Sequence, residues 1–456
     1  MPFSPAALLA ELQRHWPAAP ASDARLCIAL SGGLDSTVLL RALADITRER
    51  PGVFTVRAVH IDHQLQPQSA HWRQQCERLA SATGIEFAYR TVQVTASESM
   101  GIEAAARAAR YDALRSQLAS GEGLLTAHHA DDQLETVLLA LTRGAGVSGL
   151  AAMPACQPCG PGWHLRPLLA FSRSELEQWA RQQGLSWIDD PSNDDRHFSR
   201  NYLRHQVVPL LRQRWPSIEH SVARSASHLA EAGSLLEGLA RQDLAVAAVG
   251  ECLRVAALAS LEVARRRNLL RYWLRVRGAR LPSTRKLLAL EHDMLAAQED
   301  RLPCVRWDDF EVRRHRGLLY GARQLPAMAG LPTPLVWPWR SALALPAGLG
   351  RLEMRPVHGG GLAPARLPEC LQVAFRSGGG HTAGLVQHRK LKKLLQEAAV
   401  LPWWRDRVPL IYAAGQLVAV GDLWIAEELA AGRGEQGVGI LWCDRPAAMV
   451  PLSSGG

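Results

Sequence analysis

Three groups of residues in this chain have the types and spacing to do chemistry. The first is Ser31-Gly32-Gly33-Leu34-Asp35-Ser36. Adjacent glycines let the backbone turn its N–H groups around an anion, and a helix starting just after them adds partial positive charge. The run lacks the Gly-x-x-x-x-Gly-Lys-Ser/Thr spacing of a Walker loop, so it reads as a different kind of phosphate cradle. The second group is His128-His129-Ala130-Asp131-Asp132-Gln133-Leu134-Glu135. It sets two aspartates at a helix start and Glu135 one turn later. Acids there often only complement the helix dipole. With His128, His129 and Arg143 around them, a polar site is the better reading. In the third group Glu103, Arg107 and Arg110 share one face of an alanine-rich helix. They are either an i, i+4 ion pair or two guanidiniums aimed at a nucleotide or carboxylate.

The elements that must position these groups follow from hydrophobic periodicity. Apolar runs at Leu26–Leu30, Val53–Ile61, Phe87–Val92 and Leu124–Ala127 alternate with helical patterns at Ser36–Thr47, Ser69–Thr83 and Ile102–Leu118. Such alternation predicts an α/β fold, a doubly wound, Rossmann-like parallel sheet with helices on both faces. Ligands of these sheets bind at the C-terminal strand ends. The cradle at Ser31, the run His60-Ile61-Asp62-His63 and the pair His128-His129 all fall at such ends.

A chain of 456 residues is too long for one ordinary core. We expect a catalytic domain over 1–216, a helical domain rich in Ala, Leu and Arg over 217–324, a proline-punctuated linker over 325–350 and a small α/β domain over 351–456. Apolar residues make up 47% and charged residues 21%, normal for a globular protein. No run approaches the roughly eighteen apolar residues needed to span a bilayer, so no membrane partner is expected. The stretch Met1–Trp16 lacks a signal-peptide pattern, and eight scattered cysteines do not form a disulfide framework. Both point to a cytoplasmic protein.

Net charge is +9, from 52 Lys plus Arg against 43 Asp plus Glu. The basic residues cluster. Arg196, Arg200 and Arg204 recur every four residues, Arg265 to Arg280 form a second group, and Lys390, Lys392 and Lys393 with Arg405 and Arg407 form a third. Three clusters in successive regions suit an RNA backbone laid across several domains.

The run Ser31–Ser36 resembles the PP-loop, Ser-Gly-Gly-x-Asp-Ser, of the N-type ATP pyrophosphatases. Further motifs resemble the tRNA(Ile)-lysidine synthetase family. They are Glu103-x-x-x-Arg107-x-x-Arg110-Tyr111, His129-x-Asp131-Asp132-Gln133-x-Glu135-Thr136 followed by Arg143-Gly144, Asp190-Pro191-Ser192-Asn193, Arg200-Asn201-Tyr202-Leu203-Arg204, and the terminal Lys390–Glu397 and Arg405–Leu410. The resemblance implies that ATP adenylates the wobble cytidine of the CAU-anticodon isoleucine tRNA. L-lysine then displaces AMP to give lysidine. It further implies that Ser31, Gly32, Gly33, Leu34, Asp35 and Ser36, with His60 and Arg107, surround ATP. Asp35 would hold Mg2+, and Asp35, Arg107, Asp132 and Glu135 would be catalytic, the last two binding lysine. Arg196, Arg200, Arg204, Lys390, Lys392, Lys393, Arg405 and Arg407 would contact tRNA. The chain departs from the family at Gln64 and Gln66, where Gly and Arg are expected. Homodimerisation stays open.

Two rival readings remain. Cys156-Gln157-Pro158-Cys159 is reminiscent of PP-loop tRNA thiolation enzymes with an iron–sulfur cluster, but the other cysteines form no second pair. A tRNA-binding protein with a vestigial nucleotide site is the other. Gly144-Ala145-Gly146-Val147-Ser148-Gly149 follows a helix instead of a strand, so it is a loop and not a dinucleotide fingerprint.

Overall fold

The computed structural model describes residues 2–16, 24–62, 64, 68–93, 102–189, 199–298, 301–328, 334–376 and 385–445, with backbone alone at 102–104 and 385–390. The chain divides into two compact units, Met1–Leu236 and Glu237–Gly456.

The first unit begins with α1 (Pro5–His15), capped by Ser4, whose side chain accepts from the Ala7 N–H. Then β1 (Ala24–Ala29), α2 (Leu34–Glu49), β2 (Phe54–Asp62), α3 (Ser69–Thr83), β3 (Glu86–Thr91), α4 (Ile102–Ser116), β4 (Gly123–Leu125) and α5 (Ala130–Thr142) alternate as the periodicity predicts. A short α6 (Val147–Leu150), the hairpin β5 (Cys156–Cys159) and β6 (Gly162–Leu165), and α7 (Arg173–Gln182) follow. The sheet order is β3-β2-β1-β4-β6-β5, parallel except for β5. Successive strands run outward from β1 to β3, and the chain then returns to β4 on the other side of β1. The ends of β1 and β4 therefore flank a switch point, where a ligand crevice opens. Leu26 and Ile28 of β1 and Val38, Leu39 and Leu43 of α2 are completely buried, which anchors the loop between them.

Past α7 come α8 (Ser199–Tyr202), a single π-type turn (Leu203–Val207) and α9 (Val208–Arg214). Pro209 has no N–H for an ordinary helical bond, and the widened turn just before it absorbs that loss. The boundary between the units falls within α10 (Ile218–Ala247).

The second unit corrects two expectations. The stretch read as helical does contain α11 (Val255–Ser260), α12 (Val263–Val276) and α13 (Thr284–Ala296). It also holds an antiparallel sheet of β7 (Ala248–Val249), β8 (Cys252–Arg254), β9 (Cys304–Trp307), β10 (Phe310–His315) and β11 (Leu318–Arg323), ordered β7-β8-β11-β10-β9. Its strands are short and carry Arg306, Arg313 and Arg314, which hides them in sequence. The proline-rich stretch, read as a linker, includes β12 (Leu335–Trp337) and β13 (Leu343–Ala344). Trp337 and Trp339 are buried there, and their indole N–H groups donate to Ser341 and Pro368 carbonyls at 2.9 and 2.8 Å. The remaining elements are β14 (Arg351–His358), β15 (Leu371–Ala374), α14 (Leu385–Glu397), β16 (Leu410–Ala413), β17 (Gln416–Val420), β18 (Trp424–Ile425) and β19 (Gln436–Cys443). They complete two further sheets, β12-β15-β16-β17-β18 and β13-β14-β19. Among the described residues no helix is long and apolar enough to cross a membrane.

Candidate active site

The loop leaving β1 is shaped from within and from a distance. Gly32 adopts φ +81, a left-handed conformation that favours glycine. A Cβ at this position would lie 2.7 Å from Ile188 Cδ1 and 3.0 Å from Cys76 Sγ. The Ile188 N–H donates to the Gly32 carbonyl at 2.9 Å, and Thr37 Oγ1 donates to it at 3.3 Å. Ser36 Oγ donates to the Gly33 carbonyl at 3.1 Å and accepts from the Ser31 N–H at 3.3 Å. The Ser36 hydroxyl, among the groups expected around ATP, is thus engaged inside the loop, while Ser31 is exposed. Leu34 buries its side chain in the core, so only its backbone can meet a ligand.

A cavity of about 280 Å³ opens on this loop. Ser31, Gly33, Asp35 and Ser36 line it, with His60 from β2, Arg110 and Tyr111 from α4, and Thr126 and His128 beyond β4. Arg110, not Arg107, lines this cavity, because residues three apart on a helix differ by about 60° in direction. Arg107 is exposed beside a separate pocket. His60 is buried, with Nδ1 2.9 Å from the Leu30 carbonyl and 3.5 Å from Cys76 Sγ. Gln64, where the family pattern has Gly, takes φ +52, a conformation that favours glycine, and its N–H donates to Asp62 Oδ1 at 2.9 Å. Gln66 lies outside the described residues.

A chain of polar side chains runs behind the cavity. Arg166 Nη2 is 3.1 Å from His164 Nδ1, His164 Nε2 is 2.8 Å from Thr126 Oγ1, and Thr126 Oγ1 is 2.9 Å from His128 Nδ1. A guanidinium only donates, so His164 accepts at Nδ1 and carries its proton on Nε2. Thr126 then passes its own proton toward His128. Both imidazoles are neutral in this arrangement, and burial, with Arg166 and Arg107 nearby, pulls each down to about 3.

An adjoining cavity of about 300 Å³ is acidic at its base, lined by Asp35, His129, Asp132, Arg173 and Arg204. The His129 N–H donates to Asp132 Oδ2 at 3.1 Å, which caps α5 and fixes the carboxylate. His129 Nε2 stands 3.6 Å from Asp35 and 3.5 Å from Asp132, and its Nδ1 is 3.4 Å from Asp131. Burial opposes charge on His129, but Asp132, Asp131 and Asp35 outweigh it and raise the imidazole to about 9. Burial likewise opposes ionisation of Asp132, yet His129 and Arg200 hold it down at about 2. Asp35 is the exception. Burial raises its carboxyl, Asp132 adds to the effect, and its Oδ1 is buried without a hydrogen-bond partner. An orphaned carboxylate oxygen beside a phosphate cradle fits Mg2+, which takes one or two carboxylates and fills its shell with phosphates and water. Among the described residues no cluster of three His, Cys, Asp or Glu side chains offers a complete cage.

The arginine stripe turns inward. Arg200 Nε is 2.6 Å from Glu135 Oε2, and Arg200 Nη2 is 3.0 Å from Asp132 Oδ1. Arg204 pairs with the same two carboxylates at 2.7 and 3.3 Å, and Arg212 pairs with Asp131. Residues assigned from sequence to tRNA are therefore bound to those assigned to lysine. A period of four identifies one face but not what that face meets. Arg196 and Asp190–Asn193 lie outside the described residues.

Elsewhere the basic clusters divide. Arg265 pairs with Asp243, and Arg266 and Arg267 share Glu291. Arg271, Arg275 and Arg280 are exposed. Lys392 and Lys393 are exposed on α14, Lys393 lying 3.6 Å from Glu397, while the Lys390 side chain is outside the described residues. Arg405 Nε donates to the Val400 carbonyl at 3.1 Å, and Arg407 Nη2 to the Pro326 carbonyl at 2.7 Å. Those two arginines are partly committed to the fold of their own unit. Cys156 and Cys159 lie three residues apart on β5, so they face opposite sides of the strand and do not offer two thiolates to one metal.

Comparison with known proteins gives matches along most of the chain. A PP-loop domain matches residues 8–211, a TilS substrate binding domain residues 253–320 and a TilS substrate C-terminal domain residues 371–442. The tRNA(Ile)-lysidine synthase of Coxiella burnetii is 41% identical over 418 residues, which cover 91% of this chain and 92% of that protein. The synthase of Shigella flexneri is 41% identical over 421 residues, covering 92% and 96%. Among solved structures, the U34-tRNA thiolase NcsA from Methanococcus maripaludis aligns with a TM-score of 0.42 at 16% identity, over 50% of this chain and 78% of that one.

Proposed function

This chain belongs to the tRNA(Ile)-lysidine synthase family, and we propose that it ligates L-lysine to the 2-carbon of the wobble cytidine in the CAU-anticodon isoleucine tRNA, in the cytoplasm. The observation that carries this reading is the junction of the two cavities: Ser31, Gly33 and Asp35 line both, so a phosphate cradle opens directly onto a carboxylate-walled space. ATP occupies the first, its triphosphate on the loop amides and the start of α2. The cytidine 2-oxygen attacks the α-phosphorus, and pyrophosphate leaves. The lysine ε-amine then attacks C2, AMP departs with the former oxygen, and the amine gives up a proton.

Free lysine is both cation and anion, and the second cavity offers both complements. Asp132 lines it and suits an ammonium group, Glu135, paired with Arg200 and Arg204, adds negative charge beside Asp132, and Arg173 and Arg204 suit the carboxylate. Held at about 2, Asp132 is a poor proton acceptor and acts by charge instead. Mg2+, held by Asp35 and the phosphates, would neutralise charge that builds on the leaving pyrophosphate.

The test supplies radiolabelled lysine, ATP and Mg2+ with transcripts of the CAU isoleucine and methionine tRNAs. Lysine should enter the isoleucine transcript alone, and Asp35→Asn should slow pyrophosphate release by about 100-fold or more. No incorporation into the isoleucine transcript overturns the reading.

A further inference from the structure

A third pocket, of about 540 Å³, lies between α4 and the β5–β6 hairpin and shares Tyr111 with the nucleotide cavity. Arg107, Arg115 and Arg166 line it, and among the described residues no carboxylate does. Arg166 is only 7% exposed. Its Nη1 donates to the Pro154 carbonyl at 2.7 Å and its Nη2 to His164 Nδ1 at 3.1 Å, but its Nε is buried with no hydrogen-bond partner. Burial, reinforced by Arg107, draws its guanidinium below the ordinary value. Arg115 lies against Gly160, where a Cβ would come within 2.8 Å of its Cγ, so the turn is shaped to pass this side chain. Among the described residues its acidic partner is Asp112 at 3.3 Å, which is exposed like Arg115 itself and screens little. Arg107 rests on Tyr111, 5.1 Å from the ring centroid.

Among the described residues three guanidiniums and no carboxylate line this pocket, and the buried Arg166 is incompletely bonded, so an anion completes the site. We propose that this pocket seats a backbone phosphodiester of the RNA substrate beside the base that enters the nucleotide cavity. This inference rests on the functional reading above. The phosphates of ATP already have the PP-loop in the nucleotide cavity, whereas an RNA strand entering from solvent brings a phosphate with every nucleotide. An anion at Arg166 is also sensed inside, through His164 and Thr126 to His128.

The double variant Arg107→Gln, Arg115→Gln alters two exposed side chains and should leave the fold intact. Affinity for the isoleucine tRNA transcript, measured by filter binding over a salt series, should fall at least tenfold. The slope of log K against log salt should shrink by about 0.7, the value for one single-strand phosphate contact. The dissociation constant for ATP should hold. Unchanged tRNA affinity overturns the proposal, as does an equal loss of ATP affinity, which would assign the pocket to ATP phosphate. A wild-type protein that makes no lysidine would remove the functional reading, while the binding comparison would still decide the pocket.

Discussion

Arg204 Nε lies 2.7 Å from Glu135 Oε1, and this contact joins the segment after α7 to the helix that carries the acidic site. Glu135 is 1% exposed and holds both Arg200 and Arg204. Glu135→Gln keeps the shape and removes the charge. Steady-state kinetics should show the KM for lysine rising about tenfold or more with the KM for ATP unchanged. Because Arg200 and Arg204 are partly exposed, the stability loss should be about 1–2 kcal/mol, less than for a fully buried pair. An equal rise in both KM values would separate Glu135 from lysine.

Arg110 and Arg107 should behave differently although both belong to one helix face. Arg110→Ala should raise the KM for ATP about tenfold, since its guanidinium lines the nucleotide cavity. Arg107→Ala should leave that constant unchanged. Nucleotide binding followed by calorimetry checks the contrast, and reversed effects would return Arg107 to the ATP site.

His129 gives the protein a pH dependence on the alkaline side. Its imidazole rises in the folded state from an ordinary 6.5 to about 9, so its contribution is fully present below about pH 6.5 and is lost as pH climbs through about 9. Urea unfolding of wild type and His129→Asn at pH 6, 7.5 and 9.5 should show a stability gap that narrows with pH, from at most about 3 kcal/mol. A gap that widens over this range would contradict the assigned protonation.

Much of the catalytic unit was legible because its signals are local. The α3 helix spans Ser69–Thr83, as its pattern predicts, and the cradle falls between β1 and α2. What was not legible depends on packing. Arg200 and Arg204 announce a charged face, but only the fold shows that α5 supplies the opposing carboxylates. Arg107 and Arg110 line different pockets through helical phase against the sheet. In the proline-rich stretch Trp337 and Trp339 were the overlooked signal, since two large aromatics in a supposed spacer seldom stay in water.

The Gly32–Ile188 contact has a consequence for how the protein is made. The six-residue cradle looks self-contained, yet one of its carbonyls is held by a peptide that leaves the ribosome long after it. That contact can form only once the elements between the two residues have been made. A nascent chain therefore displays the cradle sequence well before it has a finished ATP site, and the completed site reports that the chain has folded as far as Ile188.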